Sequence, residues 1–135
     1  MLLGRIRPGP ERSSPCFLLR LWVVDRLLLS PLFRSACECW LTEVLFPFFL
    51  WLLGADIGRG AYWNCPTVRG GVECLRVGQD FHAGMGQIYD TQVLTRRGVA
   101  FRNVSFGDRC TVGQRCVVQG GVRVQDGVTV GSESV

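Results

Sequence analysis

The chain has 135 residues, enough for one compact domain and too few for two large ones. All 15 basic residues are Arg and His82 is the only His, which excludes Schiff-base and P-loop lysines and any site built from several imidazoles. A net charge of +4 is mild and carries no nucleic-acid signal.

Composition divides the chain in two. Residues 1–53 hold 14 Leu, 3 Val and 2 Gly, whereas residues 54–135 hold 2 Leu, 14 Val and 15 Gly. Leu without Gly favours helix; Val with Gly favours short strands and tight turns. The seven Cys are an odd number, contain no C-x-x-C and have one His to work with, so they suggest no metal site. They read as small buried thiols in a reducing compartment.

Residues 1–16 read as irregular, with Pro8, Pro10 and Pro15 among Arg5, Arg7 and Arg12. Residues 17–53 read as a hydrophobic helical lead-in. Arg20, Asp25 and Arg26 interrupt the apolar run 17–29, so it is neither a signal-peptide core nor a clean membrane span. The second run, Val44 to Ala55, is too short to span a bilayer alone, and Pro47 is expected to kink it. These helices need a surface to bury against. Either another protein layer or a membrane supplies it, and Trp22, Trp40 and Trp51 suit both. Both a membrane-associated and a cytoplasmic location are compatible with this.

From Phe106 the chain reads FGDRCT, VGQRCV, VQGGVR, VQDGVT, VGSESV. The first position of each hexad is large and apolar: Phe106, Val112, Val118, Val124, Val130. The fifth is small or β-branched: Cys110, Cys116, Val122, Val128, Ser134. A period of six cannot be a helix, because apolar residues would drift around its circumference. It suits very short strands with a corner after each. Three such sides make a coil that stacks on the next and buries the first and fifth positions, the hexapeptide parallel β-helix. IGRGAY (Ile57–Tyr62) and VGQDFH (Val77–His82) are imperfect earlier copies, separated by slightly more than the three hexads of one coil. Residues 83–103 are expected to leave the coil as an excursion loop. The last hexad ends without a polar cap, so the coil is expected to be truncated there or covered by a partner.

The hexads resemble those of left-handed β-helix acyltransferases. WLLGADIGRGAYW (Trp51–Trp63), RVGQDFHAG (Arg76–Gly84), TQVLTRR (Thr91–Arg97) and VSFGDRCTVGQRCVV (Val104–Val118) are most similar to one branch. That branch is the terminal β-helical module of nonribosomal-peptide-synthetase-like and poly-lysine-synthetase-like proteins. The resemblance covers residues 17–135. It implies a mainly β fold, a left-handed parallel β-helix over 54–135 preceded by the helical segment. It also implies acyl-transfer chemistry with acyl-coenzyme A or another thioester as co-substrate, a small-molecule acceptor, and a homotrimer or neighbouring domain as partner. In that family the excursion carries Thr-His, then Phe-Glu and Arg. Thr91 and Arg97 match; Gln92 stands at the His position and Leu94-Thr95 at Phe-Glu. A Gln amide does not titrate near neutral pH and cannot be a general base.

His82, the only imidazole, is therefore the candidate base, with Gln92 as a candidate hydrogen-bonding partner of a substrate carbonyl. Arg96, Arg97 and Arg102 are candidates for a coenzyme phosphate. A surface histidine, an inactive Gln and a solvated basic loop are the alternative readings. They lead to the alternative function: a catalytically inactive β-helical scaffold, or an interaction module tethered to a membrane through 17–53. A His-dependent zinc hydratase on the same fold is excluded by the missing imidazoles.

Overall fold

The computed structural model describes residues 9–12, 15–32, 35, 42–64 and 66–135. Residues 1–8, 13–14, 33–34 and 36–41 lie outside the described residues, and with them Cys37, Cys39 and Trp40, as does Cys65. The fold is mainly β, in parallel sheets, with two α-helices among the described residues. Strand β1 (Gly9–Arg12) falls inside the segment expected to be irregular. Helices α1 (Pro15–Leu29) and α2 (Thr42–Leu52) follow.

Short strands then succeed one another: β2 (Asp56–Ile57), β3 (Tyr62–Asn64), β4 (Thr67–Arg69), β5 (Leu75–Val77), β6 (His82–Met85) and β7 (Ile88–Asp90). A hairpin of β8 (Gln92–Thr95) and β9 (Gly98–Phe101) interrupts them. The series resumes with β10 (Val104–Phe106), β11 (Thr111–Val112), β12 (Val117–Gln119), β13 (Arg123–Val124) and β14 (Thr129–Val130). The chain visits three parallel sheets in fixed rotation: β2-β5-β10-β13, β3-β6-β11-β14 and β4-β7-β12. Ser105 pairs with Arg123, and Thr111 with Thr129, so one circuit there takes three hexads. Arg76 pairs with Ser105, and Ile88 with Val117, a longer circuit. The difference is the segment 92–102, which holds the hairpin.

Alternation decides which side chains point inward. Leu75 and Val77 are buried around exposed Arg76; Val104 and Phe106 are buried around Ser105. One hydrophobic cluster joins inward residues of all three sheets, including Val77, Val112 and Val118. Gly at the second hexad position lets consecutive circuits approach: a Cβ built on Gly78 would collide with the Gly107 backbone and the Asp108 carboxylate.

The hexad pattern buries as expected at Phe106, Cys110, Val112, Cys116 and Val118. It fades at the far end, where Val122 and Val128 are each 40 % exposed. Among the described residues no further strand stacks on β13 or β14. A cavity of about 380 Å³ opens there, lined by Val118, Val122, Val124 and Val130.

The excursion is narrower than the expected 83–103. Val77, Ala83 and Tyr89 keep the step of six, and all three are buried. Ala83 is small and Gln87, at the fifth position, is polar, so the hexad is hidden in the sequence. Only the hairpin, from Gln92 to Phe101, leaves the rotation. At this end aromatic rings fill the interior: Trp63 and Phe81 centroids are 5.1 Å apart, and Phe81 and Phe106 5.0 Å. Such pairs are worth about 0.5–1.5 kcal/mol beyond their area burial.

The helices cover this aromatic end. Leu28, Phe46 and Leu50 join the main core, and α2 runs through Pro47 without ending there. Helix α2 stops in a Schellman-type turn: Gly54 N–H donates to the Trp51 carbonyl and Ala55 N–H to the Leu50 carbonyl, each at 3.0 Å. Gly54 has φ +108° and leads straight into β2. Helix α1 is tied to the sheets by the Arg20–Glu73 ion pair, at 2.6 Å and largely buried. Phe17 meets Phe101 of the hairpin edge-on, with centroids 5.5 Å apart.

The opposite faces of both helices stay apolar. Leu19, Trp22, Leu27, Phe48, Trp51 and Leu52 are all more than half exposed. Among the described residues no helix is long and apolar enough to cross a membrane.

Gly54→Ala tests the junction between α2 and β2. A Cβ there would sit 2.8 Å from Glu73 Cγ, and Ala resists the positive φ. We expect a loss of about 1–2 kcal/mol in urea unfolding, and an unchanged midpoint would contradict this account of the turn.

Candidate functional site

The hairpin is rooted by Thr91 and Arg102. Thr91 N–H donates to the Arg69 carbonyl at 3.1 Å, and the Arg102 N–H donates to the Thr91 carbonyl at 2.9 Å. The Thr91 side chain is fully buried, its hydroxyl 3.1 Å from the Arg69 carbonyl and 3.0 Å from that of Gly71. Its one proton is therefore committed to the backbone. Asp90 Oδ1 accepts the Gln92 N–H at 3.2 Å, which turns the chain out of the sheet. At the tip Thr95 donates to the Gly98 carbonyl at 2.9 Å, closing the turn that carries Arg96 and Arg97. Strand β1 adds an antiparallel edge to β9, with Gly9 opposite Phe101.

Beside the hairpin root lies an open groove of about 1170 Å³, over the outer face of β5, β10 and β13. Arg76, Ser105 and Arg123 form one outward ladder across these strands. Arg102 enters from the hairpin root, and Phe101 and Val122 contribute apolar walls. Arg102 crosses the Gly120-Gly121 corner: a Cβ on Gly120 would lie 3.1 Å from Arg102 Cβ, and one on Gly121 3.6 Å from its Cδ. Asp126 is the acidic residue on the groove lining, and its Oδ1 accepts the Asp108 N–H at 2.9 Å.

The sequence-derived candidates do not gather at one point. Arg102 lies in the groove. Gln92 is half-buried and pairs with Phe101 at the hairpin root, close to Arg102 in the chain path. Arg96 and Arg97 are exposed at the hairpin tip. His82 is exposed on the outer face of a different sheet, between Tyr62 and Thr111, its ring 6.1 Å from that of Tyr62. Asp90 serves the turn. Among the described residues no group of three or more His, Cys, Asp and Glu side chains converges.

Sequence reading missed Arg76, Ser105 and Arg123. Each stands directly before the apolar first position of a hexad, and Ser105 and Arg123 are one full circuit apart. Following that period would have placed them on one face. It also missed a buried polar chain: Trp63 Nε1–H donates to Tyr89 Oη at 3.2 Å, and Tyr89 donates to Gln87 Oε1 at 2.9 Å. Gln87 Nε2 then donates to the Val112 and Gly113 carbonyls at 3.1 and 3.0 Å. Burial pushes the Tyr89 phenol well above its ordinary range, against the bond from Trp63. Tyr89 thus stays protonated and structural. Burial, with a smaller push from Glu73, raises the Cys74 thiol to about 11. A thiol so protonated is a poor nucleophile.

Asp25 of α1 reaches the start of this region, where it accepts the Gly70 N–H at 3.4 Å. Burial raises its pKa and the neighbouring Asp90 adds to the rise, while the Gly70 bond and Arg69 oppose it. No protein-family model matches the chain, and neither does any curated protein.

The direction of the Asp25 shift fixes a pH dependence. A carboxyl whose folded pKa is raised supports the fold fully below its unfolded pKa, and that support is lost as pH rises through the folded value. Asp25→Asn keeps an acceptor for Gly70 and removes this loss. The gain in melting temperature of the Asn variant over the native protein should therefore be larger at neutral pH than near pH 4. A gain independent of pH would contradict the burial of the charge.

Proposed function

We propose that the chain is a hexapeptide-repeat module, a left-handed parallel β-helix of the acyltransferase-like kind. In this reading it is closest to the terminal β-helical module of peptide-synthetase-like and poly-lysine-synthetase-like proteins, and it binds an acyl thioester across the hairpin root. The observation that carries the reading is the pairing step. One circuit takes three hexads where the repeat is regular, and it lengthens by one hairpin that emerges at the stretch resembling the family's excursion loop. Arg102 and Gln92, at the hairpin root, are the groups that would hold donor and acceptor.

In the transfer itself the acceptor oxygen or nitrogen bonds to the thioester carbonyl carbon. The carbon–sulfur bond breaks and the thiolate leaves, while the acceptor's proton passes to a base. Within one copy His82 faces away from the groove. It can serve as that base only if a neighbouring copy brings this sheet face to the hairpin, an arrangement that a homotrimer allows.

A second reading rests on its own observations. The Thr91 hydroxyl is committed to the backbone, His82 is remote, and the outer faces of α1 and α2 are apolar. These favour a non-catalytic scaffold whose helices dock on a membrane or on a neighbouring domain.

Calorimetric titration with acetyl-coenzyme A, followed by an assay for free thiol with amine and hydroxyl acceptors, separates the two. The transferase reading expects saturable binding and a turnover that His82→Ala abolishes. Undiminished turnover in that variant removes His82 from the mechanism. Absence of both binding and thiol release leaves the scaffold.

A further inference from the structure

We propose that the groove over β5, β10 and β13 is a binding site for a pyrophosphate-type anion, held by Arg76, Arg123 and Arg102. The site shares Arg102 with the proposed donor-binding region, but it does not depend on acyl transfer and needs no base. Arg76 and Arg123 flank Ser105 on one outward ladder, so their Cα atoms are two strand spacings apart, about 10 Å. Two long guanidinium arms rooted at that distance can close on one anion, with the Ser105 hydroxyl between them as a further donor.

Three facts distinguish this from a solvated basic surface. First, the described residues form ion pairs at Arg20–Glu73 and Arg115–Glu133, and none involves Arg76, Arg102 or Arg123. Second, Arg102 is seated by the side-chain-free Gly120-Gly121 corner, so its place at the groove is set by packing. Third, the groove is framed at both ends of its strands: Phe101, the hairpin root and Val122 of the next circuit stand where the strands begin, and Gly107, Gln125 and Asp126 where they end. A planar fork meeting a phosphate makes paired charge-assisted bonds, and three forks match the two phosphoryl groups of a pyrophosphate better than a monoanionic carboxylate. Two carboxylates are near. Asp126 lines the groove but already accepts the Asp108 N–H, and Asp56 is the other ladder neighbour of Arg76. Together they leave the three guanidinium groups in excess.

The anion can come free or as part of a nucleotide. Calorimetry with inorganic pyrophosphate and, separately, with ADP distinguishes these sources. We expect saturable pyrophosphate binding at low ionic strength, weakened by salt. Arg76→Ala combined with Arg123→Ala should weaken it by about tenfold or more, whereas Arg59→Ala, at an exposed corner outside the groove lining, should change it little. Arg76→Lys keeps the charge but not the fork and should fall between. Circular-dichroism melting checks that each variant folds; if the double variant does not, the single Arg76→Gln and Arg123→Gln variants carry the same test. Tighter binding of ADP than of pyrophosphate supports a nucleotide-borne anion, and equal or weaker binding supports the free one. Absence of saturable pyrophosphate binding overturns the proposal. So does a double variant that binds as well as the native protein, or a loss that follows Arg96 and Arg97 instead. Pyrophosphate binding without thiol release would leave this site standing while the transferase reading falls.

Discussion

Backbone pairing between successive circuits is the constraint on which everything else depends. Each short strand of the three parallel sheets is too small to be stable alone, and its hydrogen bonds are completed by the strand one circuit before or after it. Pairing in parallel register then stacks like positions over one another, both inside and out. Inward, Val77 lies beside Phe106 and Ala83 beside Val112. Outward, Arg76 lies beside Ser105, and Ser105 beside Arg123. Core and surface are thus written by the same register, and a shift of one residue would exchange them.

Within that constraint the interior changes character along its length. Near the helices it is wide in content, with Trp63, Phe81, Tyr89 and Phe106 packed ring to ring. Farther along, Cys110, Val112, Cys116 and Val118 suffice. The aromatic end also holds the polar chain from Trp63 to Gln87. Buried donors without partners would cost about 1–3 kcal/mol each, and here each finds an oxygen. The thiols join in: Cys110 donates to the Gln125 carbonyl and Cys116 to that of Gly131, each at 3.0 Å. They are packed and hydrogen-bonded side chains, consistent with small core residues.

Much of the β region is legible because hexads 106–135 repeat a simple volume pattern. The hexad containing Ala83 and Gln87 is not, because a small residue and a polar one occupy positions normally apolar. Their fit depends on partners from another circuit, the Val112 and Gly113 carbonyls, which no local pattern reveals. The helical lead-in announces its need for a surface through its apolar content. The structure supplies one on one face, the aromatic end of the parallel sheets, and leaves the other face apolar. The groove is only partly legible. Arg102 stands out because it adjoins the loop, but Arg76 and Arg123 are far apart in sequence and meet through the pairing step. Thr91 shows the reverse case: a motif position whose hydroxyl, once placed, is occupied by the backbone.

The antiparallel contact between β1 and β9 has a consequence for how the chain acquires its shape. Gly9 pairs with Phe101, so one of the earliest ordered segments waits for one of the later ones. Consecutive circuits, by contrast, close over much shorter loops and can be added one after another as the chain is synthesised. Closing so long a loop costs about 1 kcal/mol more in chain entropy than closing one circuit, and that cost comes before any contact rewards it. The first strand, together with Phe17 and Leu21 of α1, which gather around Phe101, therefore acts as a latch that cannot set before the hairpin is made. Until it is set, Phe17 and Leu21 lack the Phe101 they pack against, and apolar surface left open in this way during synthesis invites aggregation.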